Sequence, residues 1–197
     1  MTDQTSKTES AIFSGRDTTK DFLFNPPLAS IQEKAISADK ALTQDAMQQA
    51  FPDVPWADDF LKRGLEQVQP VTCFGTLVIR LDPVADSTDD NGHDSATPMV
   101  DVGRFLAELC QRENGIWGGL DTQSLGCFLP GKNDDDTLHL AKDIQIRTRG
   151  LDHISVSIGI ASYPKADYAK TDIFENAKKA LTHASFFGAD SAVMFDA

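Results

Sequence analysis

The sequence has few basic residues, few cysteines and no long apolar run. Its 197 residues include 18 lysines and arginines against 30 aspartates and glutamates, which gives a formal net charge of −12. Nucleic acids and anionic membranes are bound by concentrated positive charge, so we expect neither as a partner. No apolar run approaches the ~20 residues that cross a bilayer. The polar N-terminus, MTDQTSKTES, lacks the pattern of a signal peptide.

Cysteines are also scarce. Cys73, Cys110 and Cys127 are odd in number and far apart in the sequence, so no disulfide framework is indicated. Cys73 and Cys127 lie in apolar, strand-like runs, and Cys110 lies on the apolar face of a predicted helix. We expect buried, reduced thiols in a cytoplasmic protein.

The first third of the chain predicts a tail followed by helices. Residues 1–19 are rich in Thr, Ser and Asp, which predicts a disordered tail. Residues 20–69 predict a helical extension, in which a first amphipathic helix ends near Phe51-Pro52 and a second runs from Trp56 to Val68. The apolar positions of the first helix are Leu28, Ile31, Ala35, Leu42 and Ala46, and those of the second are Phe60, Leu61 and Leu65.

Residues 70–197 predict one α/β domain. A β-branched, apolar run over 74–82 predicts a buried strand, and the Asp-, Ser- and Gly-rich residues 83–97 predict a loop. Further patterns give the order strand, helix, two strands, helix, strand, helix, strand. This order indicates a mixed sheet flanked by helices. Periodicity alone does not indicate a function.

Three segments resemble the GGDEF, or diguanylate cyclase, family. Val156-Ser-Ile-Gly-Ile-Ala161 is similar to the family's VSIGIA strand, and the helix from Ala177 to Gly188 matches the spacing of its ADxALYxAKxxG pattern. Asn91-Gly92-His93 falls where the family has FGH. The resemblance implies the nucleotide-cyclase-like fold of the family for residues 70–197. It also implies an ancestral activity, the joining of two GTP molecules, one per subunit, into cyclic di-GMP.

The family's chemistry depends on metal ions that carboxylates hold against the phosphates. The first Asp of the opening strand and an acidic residue of the signature loop hold the metals, and paired glycines of that loop admit the nucleotide. Counting back from His93, the first Asp position holds Arg80, while Asp82, Asp89 and His93 remain in matching positions. These four are the candidate vestigial nucleotide-binding residues.

The five-residue signature loses its glycines and its metal-binding acid. Aligned on the strand that follows it, the signature consists of Asp121, Thr122, Gln123, Ser124 and Leu125. Ser124 offers only a neutral oxygen, a poor magnesium ligand. A second register remains open, in which Gly118-Gly119 are the paired glycines and the signature reads Gly-Gly-Leu-Asp-Thr. In either register we expect no catalytic residues and no metal site.

Other family contacts are also altered. Ser185 replaces the lysine of the helix pattern, Ala189 replaces an arginine, and Thr88-Asp89 stand for an Asn-Asp pair. The family's product-inhibition motif, RxxD, keeps its arginine as Arg112, while Gly115 replaces the Asp. Arg112 is therefore a remnant of a product site.

Two interpretations of Arg80 are open. Arg80 and Asp82 are two apart on a strand and share a face. Arg80 could replace the lost metal and bind a nucleotide phosphate, or it could pair with Asp82 and fill the disused pocket. The ion pair is the favoured interpretation.

The sequence thus predicts a non-catalytic GGDEF-like signalling or interaction module that has lost cyclic di-GMP synthesis. The N-terminal helices would dimerise it or join it to a protein partner. One alternative is a regulatory domain that binds GTP or cyclic di-GMP without turnover. Another is an active diguanylate cyclase with an atypical site. No cofactor is expected, and Mg²⁺ would be needed only if activity is retained.

Overall fold

A mixed sheet of five strands organises the chain in the computed structural model. The structure describes residues 43–82, 97–151, 154–165 and 168–196. The predicted tail 1–19, most of the predicted first helix and residues 83–96 of the predicted loop lie outside the described residues. None of the described helices combines the length and the apolar character that crossing a bilayer requires.

The strand order is β2-β3-β1-β4-β5, and only the β4–β5 pair is parallel. The central strand β1 pairs with β3 on one side and with β4 on the other, in both cases antiparallel. The strands are β1 Phe74–Leu81, β2 Ile116–Gly119, β3 Ser124–Pro130, β4 Val156–Tyr163 and β5 Ala192–Met194. All three of β1, β3 and β4 are covered on both faces; β1 and β3 read as nearly continuous apolar runs, whereas β4 alternates apolar residues with Ser and Gly.

Five α-helices lie in the described ranges and pack around the sheet. They are α1 (43–50), α2 Asp58–Val68, α3 Thr97–Glu113, α4 Asp134–Arg149 and α5 Ile173–Ala184. At the start of α4, the Asn133 side chain accepts from the Asp136 N–H while the Asp136 side chain accepts from the Asn133 N–H. This capping box satisfies two free backbone donors, and the acidic first turn of α4 complements the helix dipole. A short 3-10 turn, Ser185–Phe187, follows α5 and ends at Gly188, whose φ is +96°.

Each face of the sheet has its own apolar core. On one face, α3 and α4 pack through residues such as Leu106 and Ile144 against Leu77 and Ile158. On the other face, α2 and α5 pack around Phe128 with other aromatic and aliphatic side chains, namely Phe60, Val68, Phe74, Phe174 and Leu181. The chain therefore has the predicted α/β arrangement, a mixed sheet flanked by helices.

The predicted element order is confirmed, with small changes at the boundaries. Helix α2 begins at Asp58 rather than at Trp56, because Trp56 forms a parallel bridge with Gly119 at the edge of β2. The buried stripe of α2 is Phe60, Gly64 and Val68, so Phe60 is the one predicted apolar position that is fully buried. The glycine predicted to close the last helix, Gly188, does end this segment with a positive φ, but α5 itself ends at Ala184 and the 3-10 turn lies between them.

Candidate functional site

The positions at which the chain departs from the GGDEF pattern come together at the end of β1. Arg80 lies directly opposite Ser124 on β3 and directly opposite Ser157 on β4. Residues paired across a sheet share a face, so these three side chains lie on the same side. Positions 80 and 124, for which the resemblance implies metal-binding carboxylates, are therefore immediate neighbours in the fold.

Arg80 makes its shortest contact with the turn after α5. Its Nη2 donates a hydrogen bond of 3.0 Å to Ser185 Oγ, and the same nitrogen lies 3.9 Å from Asp82 Oδ1. The predicted Arg80–Asp82 ion pair is present, but it is long and the Arg80 side chain is 33% exposed. Ser185 is itself a departure from the family pattern, so three substituted positions, 80, 124 and 185, form one cluster.

Asp82 is a buried carboxylate with most of its acceptor capacity in use. Ser157 Oγ donates to both of its oxygens, at 2.8 and 3.0 Å, and Ser155 Oγ lies 3.3 Å from Oδ2. The Asp190 N–H also donates to Oδ2, at 2.8 Å. The carboxylate thereby joins β1 to β4 and to the turn that precedes β5. Its side chain is only 3% exposed.

Sequence reasoning missed the partners of Asp82. Ser155 and Ser157 alternate with the apolar residues of β4, so their shared face could have been recognised from the period of two. The contact of Asp190 could not be predicted from any such pattern, because the position of Asp190 depends on a turn in which its own φ is +59°.

The signature residues form the turn between β2 and β3. The Ser124 carbonyl accepts from the N–H groups of Leu120 and Asp121, at 2.9 and 3.3 Å. The Asp121 carboxylate accepts from the Gln123 N–H at 2.8 Å and so caps its own turn. Thr122 and the exposed Gln123 complete the turn, and Ser124 and Leu125 are buried at the start of β3. The Gln123 carbonyl accepts from the Leu81 N–H at 2.8 Å, which ties the turn to β1.

Gly118 and Gly119, the glycines of the second register, lie inside β2 and are covered by the segment before α2. A Cβ on Gly118 would lie 2.5 Å from the Pro55 carbonyl oxygen, and one on Gly119 would lie 2.1 Å from the Trp56 ring. The Ala57 N–H donates to the Gly119 carbonyl at 2.7 Å. Packing against Pro55–Ala57 therefore accounts for both glycines.

Arg112, the predicted remnant of a product site, belongs to an ion-pair group. Arg112 Nε lies 2.7 Å from Glu113 Oε1, and Lys132 Nζ lies 2.6 Å from Glu113 Oε2. The hydrogen bond to Glu113 raises the pKa of Arg112, and the hydrogen bonds from Lys132 and then Arg112 lower the pKa of Glu113. A Cβ on Gly115 would lie 2.7 Å from the Phe128 carbonyl oxygen, so this backbone leaves no room for the family's Asp.

Two candidate residues, Asp89 and His93, lie outside the described residues. Within the described ranges, no three His, Cys, Asp or Glu side chains are grouped as metal ligands. Arg80, Asp82 and Ser124 are brought together, whereas Arg112 is in the separate group with Glu113 and Lys132.

Solved structures provide the comparison for this arrangement. No family model and no curated protein matches the chain. The GGDEF domain of YfiN from Pseudomonas aeruginosa is 20% identical, with a TM-score of 0.61 over 74% of this chain and 98% of that domain. The GGDEF domain of DgcB from Caulobacter crescentus, solved with cyclic di-GMP, is 16% identical, with a TM-score of 0.57 over 74% of this chain and 90% of that one.

A third structure covers more of the chain. The diguanylate cyclase SiaD of Pseudomonas aeruginosa, solved with its activator SiaC, is 19% identical, with a TM-score of 0.60 over 90% of this chain and 74% of that one. At these identities the likeness establishes the fold. The chain therefore has the GGDEF-domain fold, as its VSIGIA strand and the helix after it predict.

Proposed function

We propose that this chain is a non-catalytic GGDEF-fold signalling or interaction module that does not synthesise cyclic di-GMP. The observation that carries the proposal is the contact of the Arg80 guanidinium with Ser185, on the face shared by Ser124 and beside Asp82. In an active cyclase the resemblance implies metal-binding carboxylates at positions 80 and 124. Here one of these positions is cationic and the other neutral.

The charges at this site oppose a divalent cation. A guanidinium about 4 Å from Mg²⁺ repels it by several kcal/mol, on the order expected at an effective dielectric constant of about 20, and solvent around the partly exposed Arg80 reduces that value. Ser124 contributes no negative charge. The electrostatic balance at the end of β1 thus supports a site without metal.

The remaining carboxylate supports the same proposal. Asp82 accepts from Ser155, Ser157 and the Asp190 N–H. A metal ion at Asp82 would have to displace these donors and leave them unpaired in a buried place, which is costly. The described residues therefore do not fit Mg²⁺, and we infer no catalytic step through a metal.

A second candidate function is nucleotide binding without turnover. It is favoured by the exposed third of the Arg80 side chain, because the guanidinium can donate hydrogen bonds to a phosphate of GTP in place of a metal. Cyclic di-GMP at Arg112 is less well supported, since Arg112 pairs with Glu113 and Gly115 admits no side chain. An active diguanylate cyclase with an atypical site is the third candidate function.

The N-terminal helices are the proposed route to self-association or to a partner protein, in a cytoplasmic setting. Helix α2 packs Phe60, Gly64 and Val68 against the domain, so its apolar stripe is already used. Helix α1 also places Met47 in the core, so we propose that the predicted helical residues before α1 make the external contact. A solved protein of this fold binds an activator protein, which supports this kind of role.

Calorimetry with the full chain tests the proposal. GTP and cyclic di-GMP are each titrated with and without Mg²⁺, beside the matched variant Arg80→Ala. We expect no Mg²⁺-dependent heat with either ligand. GTP binding that is independent of Mg²⁺ and lost in Arg80→Ala would support the second candidate. Mg²⁺-dependent GTP binding that survives Arg80→Ala would contradict the proposal.

A further inference from the structure

Two adjacent phenylalanines project from the turn after α5. Phe186 is 83% exposed and Phe187 is 75% exposed. Among the described residues, Ile146 is the one other large apolar side chain with comparable exposure. Single exposed apolar side chains are ordinary on a protein surface, whereas adjacent large ones concentrate apolar area in one place and mark interaction sites.

Hydrogen bonds fix the turn that carries these phenylalanines. Ser185 Oγ accepts from Arg80, and Ser191 Oγ lies 2.9 Å from the carbonyl oxygens of both Ala184 and Gly188. Gly188 then ends the turn with a positive φ. Because the turn is anchored on both sides, the turn itself would lose little conformational freedom when a partner binds.

Basic side chains continue the same surface along α5. Lys178, Lys179 and His183 are exposed. Lys179 and His183 are four residues apart, Phe186 and Phe187 follow three and four residues after His183, and Lys178 adjoins Lys179. We call these five residues the α5 stripe. Lys179 Nζ lies 5.9 Å from the Phe195 ring centroid and Lys178 Nζ 6.0 Å from that of Phe174, so both ammonium groups lie over aromatic rings. Glu175 is the exposed carboxylate of this helix, and it pairs with Lys178 at 3.0 Å.

We propose that the α5 stripe is a docking surface for an acidic segment of a partner protein that carries apolar anchors. This inference rests on the proposed function as an interaction module and adds a second surface, separate from the N-terminal helices, with the chemistry of the partner that binds there. Carboxylates of such a segment would pair with the two lysines, and its apolar side chains would cover Phe186 and Phe187. Arg80 acts as a positioning residue, since it holds Ser185 and thereby the phenylalanine turn.

The charges of the chain favour this partner over an anionic membrane and over a second copy of the same chain. An anionic membrane would lie against a broad area of this acidic protein, whose net charge is −12, and would be repelled by it. A bound peptide interacts mainly with charges within a Debye length, about 8 Å in physiological salt, and so mainly with the two lysines. A second copy that presented the same stripe would oppose lysine to lysine. The positive stripe therefore fits a narrow acidic segment better than either.

Fluorescence anisotropy tests the inference on the full chain. The probe is a labelled amphipathic peptide in which Glu and Leu residues recur at helical spacing. Two peptides with Gln or Lys in place of Glu serve as controls, and phosphatidylcholine–phosphatidylserine vesicles test the membrane. We expect the acidic peptide alone to bind. Phe186→Ser/Phe187→Ser and Lys178→Glu/Lys179→Glu should each weaken binding by roughly tenfold, and rising salt should reduce the effect of the lysine variant.

Ile146→Ser is the matched control, because it removes an exposed apolar side chain from α4, on the other face of the sheet. Arg80→Ala should weaken peptide binding while the melting temperatures of all variants confirm their folding. The inference is overturned if no peptide binds, if the Gln peptide binds equally, if the vesicles bind instead, or if Ile146→Ser matches the phenylalanine variant. Assay of the same samples for cyclic di-GMP separates the two claims: its synthesis overturns the proposed function, whereas absent peptide binding overturns this inference alone.

Discussion

Arg80 Nη2 donates a hydrogen bond to Ser185 Oγ at 3.0 Å and so joins the end of β1 to the turn after α5. The GGDEF pattern places an acid at the first of these positions and a lysine at the second. In this chain the first has become cationic and the second neutral, and the two contact each other. Position 80 thus contacts the turn after α5 through a long, cationic side chain, which donates to the Ser185 hydroxyl.

Asp82 is predicted to stabilise the fold. Asp82→Ala would leave Ser155, Ser157 and the Asp190 N–H without their shared acceptor in a buried place. We expect a loss of about 2–3 kcal/mol in the free energy of unfolding, measured by urea denaturation. Asp121→Ala is the control, because that carboxylate is exposed and caps only its own turn, and it should cost about 0.5 kcal/mol or less. Equal stability of the two variants would show that Asp82 has no such role.

Glycine is predicted to be required at position 119 because the Trp56 ring packs directly against it. In Gly119→Ala the new Cβ would lie 2.1 Å from the Trp56 ring, and we expect a loss of about 1–3 kcal/mol from overpacking. In a Trp56→Ala background the same substitution should reduce the free energy of unfolding much less, since the effects of substitutions at contacting residues are not additive. Gly150→Ala, whose nearest atom would be the Arg147 carbonyl oxygen at 3.3 Å, is the control. A full cost that persists without Trp56 would contradict the packing role.

The order of elements could be predicted because each has a local signature. The period of two over Val156–Ala161 and the glycine after α5 define their elements without reference to other parts of the chain. The start of α2 could not be predicted in the same way. Trp56 fits the helical pattern, but its backbone is used in the bridge to Gly119, a residue distant in the sequence.

Restoring the RxxD motif by substitution is predicted not to restore cyclic di-GMP binding. Gly115→Asp restores the family's RxxD pattern in the sequence, yet its Cβ would meet the Phe128 carbonyl oxygen at 2.7 Å. We expect about 1–3 kcal/mol of destabilisation and no gain in cyclic di-GMP binding, measured by urea denaturation and calorimetry. Tight cyclic di-GMP binding by a variant of unchanged stability would refute this prediction.

Glu113 is predicted to make stability depend on acid pH. Hydrogen bonds from Lys132 and Arg112 lower the pKa of Glu113 from its usual 4.5. A carboxyl group with a lowered folded-state pKa adds stability above its unfolded-state pKa, and this is lost as pH falls through the folded-state value. The stability difference between the wild type and Glu113→Gln should therefore be constant above about pH 5 and shrink below 4.5. A difference that is independent of pH would argue against the ion-pair group.

The site was only partly predictable, for a physical reason. Arg80 and Asp82 share a strand, so their proximity follows from a period of two. The contact of Arg80 with Ser185 and that of Asp82 with Asp190 join residues more than one hundred positions apart. Such contacts depend on how α5 and its following turn pack against the sheet, which no local pattern encodes.

Cyclic di-GMP formation is the most direct test of the central claim. The full chain is incubated with saturating GTP over a range of Mg²⁺ concentrations, the product is quantified by mass spectrometry, and an active diguanylate cyclase is run in parallel. The absence of carboxylates at positions 80 and 124 predicts no product above a protein-free control at any Mg²⁺ concentration. Product that accumulates in proportion to the amount of this chain and depends on Mg²⁺ would contradict the loss of catalysis.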